Sequence, residues 1–264
     1  MKILLIDGDY IPFLVCHNKK DDSGKVTKEK SLVDIITEID VYMSFLLNTT
    51  ETDAYIGALT TGRCFRYDIF PEYKIKRKSL PRIKYINSAK QYLKEEYKFI
   101  DYKGLEADDI ISILKYSYLN HVDDKLIIAS PDKDMLNLEG EHYNPREQKY
   151  VTVSAEEALK FFWKSMIAGD TADGIAGLKG KGEAYANKFL EHCDDKNIQQ
   201  EVFGLYIKQL EEKEGINEFY KNYKCLKILD KYEGFSLDND SLPVIVKDRE
   251  TNILETKKLD DDVF

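Results

Sequence analysis

The spacing of apolar residues changes period several times along the chain, and each change predicts an element. Residues 2–6 are almost solidly apolar and end in Asp7, the pattern of a central strand covered on both faces. Leu32, Ile35, Ile36, Ile39, Met43, Leu46 and Leu47 then recur at helical spacing and predict a helix packed on the sheet. Residues 53–59 read as a second strand, 83–97 as an amphipathic helix, 99–102 as a short strand and 125–130 as another buried strand. A helix follows Glu106 and is expected to run to about residue 120. Residues 141–153 alternate around Asn144 and Pro145, which predicts a hairpin on the sheet edge. Ser154 and Glu157 form a capping box, opening a helix whose Phe161, Phe162, Trp163 and Met166 read as core. That helix should end at Gly169, and residues 197–229 are helical by periodicity. The lysine-rich stretch 18–30 reads as an exposed loop. Strands alternating with helices predict an α/β fold with a central, mostly parallel sheet flanked by helices.

Composition narrows the class. A chain of 264 residues, 43% hydrophobic and 33% charged, has the make-up of a soluble globular protein. No apolar run approaches membrane-spanning length, and the N-terminal run is too short for a signal peptide, so a cytoplasmic protein is expected. The four cysteines, Cys16, Cys64, Cys193 and Cys225, show no zinc spacing and read as reduced thiols. The net charge of -9 argues against a uniformly basic nucleic-acid coat. The distribution is uneven, however. Lys74, Lys76, Arg77, Lys78, Arg82 and Lys84 lie together with no acid among them. Most basic runs are solvated loops. With aromatics beside the cations, this one also fits an arch that stacks an unpaired base and holds phosphates.

The acids supply the candidate chemistry. They fall in four stations: Asp7 and Asp9; Glu106, Asp108 and Asp109; Asp132 and Asp134; Asp170 and Asp173. Acids at a helix start are favoured by the helix dipole, so the second station alone could be ordinary. Two of the others stand just past predicted strand ends, where open α/β sheets place their ligands. If the fold gathers these carboxylates, only cations make their repulsion tolerable. Hard oxygen donors select magnesium or manganese, and two such ions form a phosphodiester-cleaving site. Residues 174–182 then hold Gly174, Gly177, Gly180 and Gly182 with Lys179 and Lys181, pinned by Ile175 and Leu178. This predicts a tight hairpin before a helix over 183–193, a natural phosphate site.

These stations, in this order, resemble the flap endonuclease or 5′-nuclease family. The resemblance is closest to phage 5′→3′ exonucleases, including the phage ribonuclease H type, and more distant to the 5′-nuclease domain of bacterial DNA polymerase I. It covers nearly the whole chain, and its most specific pieces are residues 104–109, 130–134 and 169–182. It implies an α/β nuclease core over 1–165 with an arch around 71–87, then a helical region over 166–264 with a helix-hairpin-helix. It implies that Asp7, Glu106 and Asp108, with Asp109 close by, hold a first ion, and that Asp132, Asp134, Asp170 and Asp173 hold or surround a second. Tyr73, Lys74 and Arg77 match the family's Tyr-Lys-x-x-Arg, whose side chains meet the scissile phosphate. Lys76 and Lys78 belong with the arch. Gly177, Lys179, Gly180, Lys181 and Gly182 match the duplex-binding hairpin, with a potassium ion held by its carbonyls. The implied activity is metal-dependent hydrolysis at the 5′ ends of duplex or flap DNA, and of RNA primers on DNA, by a monomer in phage-type replication.

Two positions depart from the family. Relatives usually carry an aspartate a few residues before the Phe-Arg pair matching Phe65-Arg66, but here Leu59-Thr60-Thr61-Gly62 holds no acid. Asp9, on the same side as Asp7 in an extended segment, is a candidate substitute. Ala184 stands where relatives often carry lysine. The missing acid motivates an alternative, a structure-specific DNA-binding protein with weak catalysis. Other readings are a PIN-type single-strand ribonuclease, against which the glycine hairpin speaks, and an acidic α/β protein whose carboxylates never meet. The tail from Asp260 to Phe264 resembles the acidic, phenylalanine-ended tip of single-stranded-DNA-binding proteins, which implies docking to a replication partner.

Overall fold

The N-terminal apolar run forms strand β1 (Lys2–Asp7) in a computed structural model that describes residues 2–20, 26–79, 81–118, 125–232, 244–247 and 254–257. Successive side chains of a strand point to opposite faces. Leu4 and Ile6 accordingly enter one core cluster, and Ile3 and Leu5 another. Helix α1 (Tyr10–Cys16) follows the Asp7-Gly8-Asp9 turn. Short strands β2 (Lys19–Lys20) and β3 (Val26–Lys28) pair within the stretch expected to be loop. Helix α2 (Leu32–Thr50) starts at a capping box. Ser31 Oγ accepts from the Asp34 N–H at 3.2 Å, and the Asp34 carboxylate accepts from the Ser31 N–H at 2.8 Å.

Strand β4 (Ala54–Ala58) pairs in parallel with β1, Asp7 opposite Ala58. Next come helix α3 (Arg66–Ile69), a 3₁₀ turn at Ile75–Ser79 within the basic run, and helix α4 (Ile86–Glu95). Helix α4 begins later than its pattern predicts, because Tyr85 takes a left-handed conformation with φ 68°. The expected strand over 99–102 reduces to one bridge between Ile100 and Ala58. Helix α5 (Ala107–Ile113) loses its α geometry earlier than expected and widens into a π turn over Leu114–Tyr118.

Strand β5 (Lys125–Ala129) lies on the other side of β1, and the hairpin of β6 (Gly140–Asn144) and β7 (Lys149–Val153) closes that edge as predicted. Helix α6 (Ala155–Ala168) has the predicted capping box and ends at Gly169. It runs unbroken through position 165. Strands β8 (Gly169–Asp170) and β9 (Ile175–Ala176) form a small ribbon before helix α7 (Glu183–Leu190). The helical stretch after residue 197 divides into α8 (Ile198–Gln209) and α9 (Glu212–Leu226). Strands β10 (Val244–Lys247) and β11 (Leu254–Lys257) extend the sheet, a pairing the sequence reading did not predict. The order is β11-β10-β4-β1-β5-β6-β7. Strands β4, β1, β5 and β6 are parallel, with antiparallel strands at both edges.

Helices α1, α2 and α4 cover one face of the sheet through Ile11, Ile35, Ile39, Met43 and Leu93. Helix α5 covers the other through Ile110, Ile111 and Ile113. Phe162, Trp163 and Met166 of α6 are buried as expected, against α7, α8 and α9. The tail from Asp260 to Phe264 lies outside the described residues.

Because β1 is flanked by strands that follow it through separate crossovers, its carboxyl end is a switch point, where a crevice opens. Phe99 buttresses that end. A Cβ on Gly57 would lie 2.3 Å from its ring, and one on Gly8 would lie 2.6 Å from the Ala58 carbonyl oxygen. We expect Gly57→Ala to lower unfolding free energy by about 1–3 kcal/mol, the range for overpacked cores. Urea denaturation measures this, and adding Phe99→Leu should recover part of the loss.

Candidate active site

The acids are placed by backbone features at the carboxyl edge of the sheet. Asp7 is the last residue of β1. Its Oδ2 accepts from the Ser130 hydroxyl at 2.8 Å, and its Oδ1 from the Asp9 N–H at 3.1 Å. Ser130 Oγ accepts in turn from the Asp132 N–H at 3.0 Å, and Asp132 Oδ1 from the Asp134 N–H at 2.9 Å. Glu106 caps α5. In the turn between β8 and β9, Asp170 Oδ1 accepts from the N–H groups of Ala172 at 2.7 Å and Asp173 at 3.2 Å.

Tyr73 joins the second station to the fourth. Its buried hydroxyl lies 2.8 Å from Glu106 Oε2 and 2.9 Å from Asp173 Oδ2. A phenol has one proton, so it donates to one carboxylate at a time. Lys74 Nζ reaches Glu106 Oε1 at 2.5 Å and Asp173 Oδ2 at 3.6 Å, and Arg77 Nη2 reaches Asp173 Oδ1 at 3.1 Å. These groups enclose a cavity of about 100 Å³. Asp7, Glu106, Asp108, Asp132, Asp134 and Asp173 line it as the sequence led us to expect, and Asp9 joins them. Asp170 does not line the cavity, but its charge acts on both Asp134 and Asp173.

Burial and mutual repulsion set the protonation of the acids. Asp7 is pushed up to about 7 by burial and by the charges of Asp9 and Asp132. Asp134 also rises to about 7, through burial and then Asp132, Asp170 and Asp173. Burial, with Asp109 and Glu106 beside it, holds Asp108 well above the carboxylate range. Burial likewise raises Asp173, against the pull of Lys74. Glu106 differs. Burial alone would raise it, but Lys74 and Arg66 outweigh burial and hold it below the usual value. A set of carboxylate oxygens with no nitrogen or sulfur donor fits a hard divalent cation, which would relieve the repulsion.

Asp109 is grouped with the metal-holding acids by sequence, and one oxygen each from Glu106, Asp108 and Asp109 lies within 4.8 Å of the others. Yet both Asp109 oxygens are already engaged. Oδ1 accepts from Arg66 Nη2 at 2.8 Å and the Leu229 N–H at 3.1 Å. Oδ2 accepts from Arg66 Nη1 at 2.5 Å and the Glu106 N–H at 3.3 Å. Arg66 is only 2% exposed. It further donates to Glu106 Oε2 at 3.0 Å and to the carbonyls of Cys225 and Lys227, each at 2.9 Å, which uses all five donors. In the sequence the Phe65-Arg66 pair stands out, but nothing there assigns Arg66 a role. Nor does anything there assign one to Ser130, Thr60 or Lys90. Their only signal is a polar residue beside a buried strand or a lysine on an amphipathic helix.

The remaining predicted residues lie away from the cavity. Lys76 Nζ reaches the Thr171 carbonyl at 2.8 Å, and Lys78 sits on the same 3₁₀ turn. In the glycine hairpin, a Cβ on Gly177 would lie 2.2 Å from the Ala168 carbonyl carbon, so the close approach of β8 and β9 requires glycine there. Gly180 has φ 74°, and Gly182 stands at the start of α7. Lys179 is exposed, and Lys181 Nζ lies 3.9 Å from the Tyr185 ring centroid. Ala184 is exposed in the first turn of α7.

A largely parallel sheet with an acid-lined cavity at its carboxyl edge defines an α/β protein whose site can hold divalent cations. The profile of the 5′-3′ exonuclease N-terminal resolvase-like domain matches residues 2–162, and the chain belongs to this family of hydrolytic nucleases. A 5′-3′ exonuclease of Buchnera aphidicola subsp. Acyrthosiphon pisum is 29% identical over 93% of this chain and 89% of its own length. The flap endonuclease Xni of Shewanella pealeana is 31% identical over 48% of this chain and 53% of that protein. Among solved structures, the bacteriophage T5 D15 flap endonuclease, in a pseudo-enzyme–product complex with DNA and metal ions, superposes with a TM-score of 0.63 at 18% identity. The alignment covers 87% of this chain and 89% of that one. T5 5′-exonuclease with zinc bound as divalent metal ions gives a TM-score of 0.62 at 17% identity, over 86% and 88% of the two chains. At these identities the likeness shows the fold.

Two expected outcomes follow from the electrostatics. Arg66→Met leaves Asp109 buried without its partner and should cost about 3–5 kcal/mol in chemical denaturation, much of it recovered by adding Asp109→Leu. Asp7 and Asp134 bind protons more tightly in the folded chain than in the unfolded one. Their contribution is therefore largest below the unfolded value near 3.8 and is lost as pH rises through about 7. In a chelator the melting temperature should fall as pH rises from about 5 to about 7.5 and level off above, and magnesium should raise it more at pH 8.5, where the acids are ionised, than at pH 5.

Proposed function

We propose that this chain is a metal-dependent 5′→3′ exonuclease and flap endonuclease acting at the 5′ ends of duplex or flap DNA, and on RNA primers. The carrying observation is convergence. Four acidic stations far apart in sequence meet around one small cavity, with Tyr73, Lys74 and Arg77 beside them. In this reading Asp7, Glu106 and Asp108 hold one magnesium or manganese ion, and Asp132, Asp134, Asp170 and Asp173 hold or surround a second. Asp109 acts behind Glu106 through Arg66. What two such ions supply when bound is activation of the attacking water and stabilisation of the departing 3′-oxygen. Lys74 and Arg77 neutralise the charge that develops on the phosphate. Tyr73 keeps Glu106 and Asp173 aimed into the cavity.

The 5′ strand enters beside the basic segment. A cavity of about 840 Å³ there carries Arg77 and Arg82 next to Phe13 and Tyr85, a pairing suited to phosphates and unpaired bases. The hairpin of Gly177, Lys179, Gly180, Lys181 and Gly182, with a potassium ion on its carbonyls, grips the duplex backbone. We assign the α/β core to residues 1–165 and the helical region to 166–264. The enzyme works as a cytoplasmic monomer in phage-type replication, with the tail at 260–264 meeting a replication protein. No described helix is long and apolar enough to cross a membrane.

The test is a 5′-labelled flap duplex incubated with the protein and magnesium. Cleavage to products with 5′-phosphate and 3′-hydroxyl ends is expected, falling at least about a hundredfold in Asp134→Ala, as for loss of a group acting in the transition state. Tight, magnesium-independent flap binding without turnover would instead favour the DNA-binding reading.

A further inference from the structure

The loop after β4 carries no carboxylate of its own, yet it holds one in place. Asp9, two residues past Asp7, lines the same cavity as Glu106 and Asp108. Its Oδ1 accepts from the Thr60 N–H at 3.0 Å and from the Lys90 ammonium at 2.7 Å. Lys90 also donates to the Thr60 carbonyl at 2.6 Å. Thr60 Oγ1 accepts from the Ala107 N–H at 2.9 Å, at the first residue of α5. One residue thus ties Asp9 to the helix that presents Glu106 and Asp108.

The anchoring is one-sided. Both hydrogen bonds fall on Oδ1, and the side chain remains 30% exposed while Lys90 is 19% exposed. An ion pair needed only to fasten α4 to this loop gains nothing from standing beside Asp7, whose ionisation it opposes. That position is understandable if the second oxygen has work to do. Lys94, one turn further along α4, already fastens the helix to Asp101 at 2.6 Å. The Asp101 carboxylate in turn accepts from the Thr61 hydroxyl. Thr60 and Thr61 are therefore both occupied as supports, and the charge their loop lacks arrives from β1's end.

We propose that Asp9 is a further carboxylate of the metal site. Lys90 and Thr60 fix one oxygen, and the other serves a divalent ion or water held by that ion. Lys90 is its positioning residue. The inference rests on the metal-site reading above and concerns a residue outside the ligand set given there.

Manganese binding to the full chain, followed by electron paramagnetic resonance, tests it directly. Asp9→Asn should weaken manganese binding about tenfold or more, the scale of losses around metal sites. The manganese-induced rise in melting temperature should shrink in step. Lys90→Gln, which keeps the carboxylate but frees it, should give a smaller loss of affinity. A purely anchoring role predicts a different pattern: melting lowered equally with and without manganese, and wild-type affinity. That pattern overturns the proposal. If Asp9→Asn does not fold, Lys90→Gln decides, and unchanged affinity there also overturns it. Failure of the wild-type chain to bind manganese would sink the metal-site reading itself, whereas wild-type binding that survives Asp9→Asn sinks only this inference.

Discussion

Repulsion among carboxylates governs this molecule. Seven acidic side chains line a cavity of about 100 Å³. Two unit charges about 4 Å apart repel by about 4 kcal/mol at an effective dielectric near 20. Such a cluster persists because its buried acids take up protons and because counter-charges are built in. Arg66, Lys74 and Arg77 all come from one short stretch between β4 and α4 and reach Glu106, Asp109 and Asp173. The relief is unequal. Glu106, which receives Lys74 and Arg66, titrates low, whereas Asp7 and Asp134 rise to about 7. The cavity therefore holds one carboxylate, Glu106, that the protein's own cations keep ionised, among others, Asp173 included, whose charge depends on what enters.

The sheet explains how acids so far apart arrive together. Parallel strands end on the same edge, so β1 and β5 deliver Asp7 and the Ser130–Asp134 segment side by side. Helix α5 starts at that edge and is held there by Thr60. The turn between β8 and β9 belongs to the helical part of the chain. It is brought in by Tyr73, Cys64, Ile175 and Cys225, a small apolar cluster under the basic segment. The Tyr73 hydroxyl, within hydrogen-bond distance of both Glu106 and Asp173, finishes what that packing begins.

Much of this was legible in the sequence because it depends on period and position. The solid run at residues 2–6, the alternation over 141–153 and the capping box at Ser154 are local patterns, and local physics decides them. Acids just past strand ends could be placed on one rim by topology alone. Less regular parts were missed for identifiable reasons. Residues 99–102 have strand-like side chains, but Phe99 turns inward against Gly57 and only Ile100 bridges to β4. Strand β10 follows a long helical stretch and pairs with β4 from nearly two hundred residues away, with β11 added outside it, which no local period announces. The role of Asp109 was hidden because ligands and ion-pair partners look the same in a sequence. What separates them is Arg66, and nothing near residue 109 points to an arginine forty-three positions earlier.

The Arg66–Asp109 pair also constrains the order of events during synthesis. Its outer partners are the carbonyls of Cys225 and Lys227 and the amide of Leu229, at least 159 positions downstream of Arg66. A nascent chain that has emerged only as far as α7 already carries every acid of the cavity but leaves that guanidinium half satisfied. Contacts over such separations close late, after local helices and strands have formed. The acidic pocket therefore reaches its final shape only when α9 has left the ribosome and docked, so a half-made chain carries the reactive side chains without the geometry to use them.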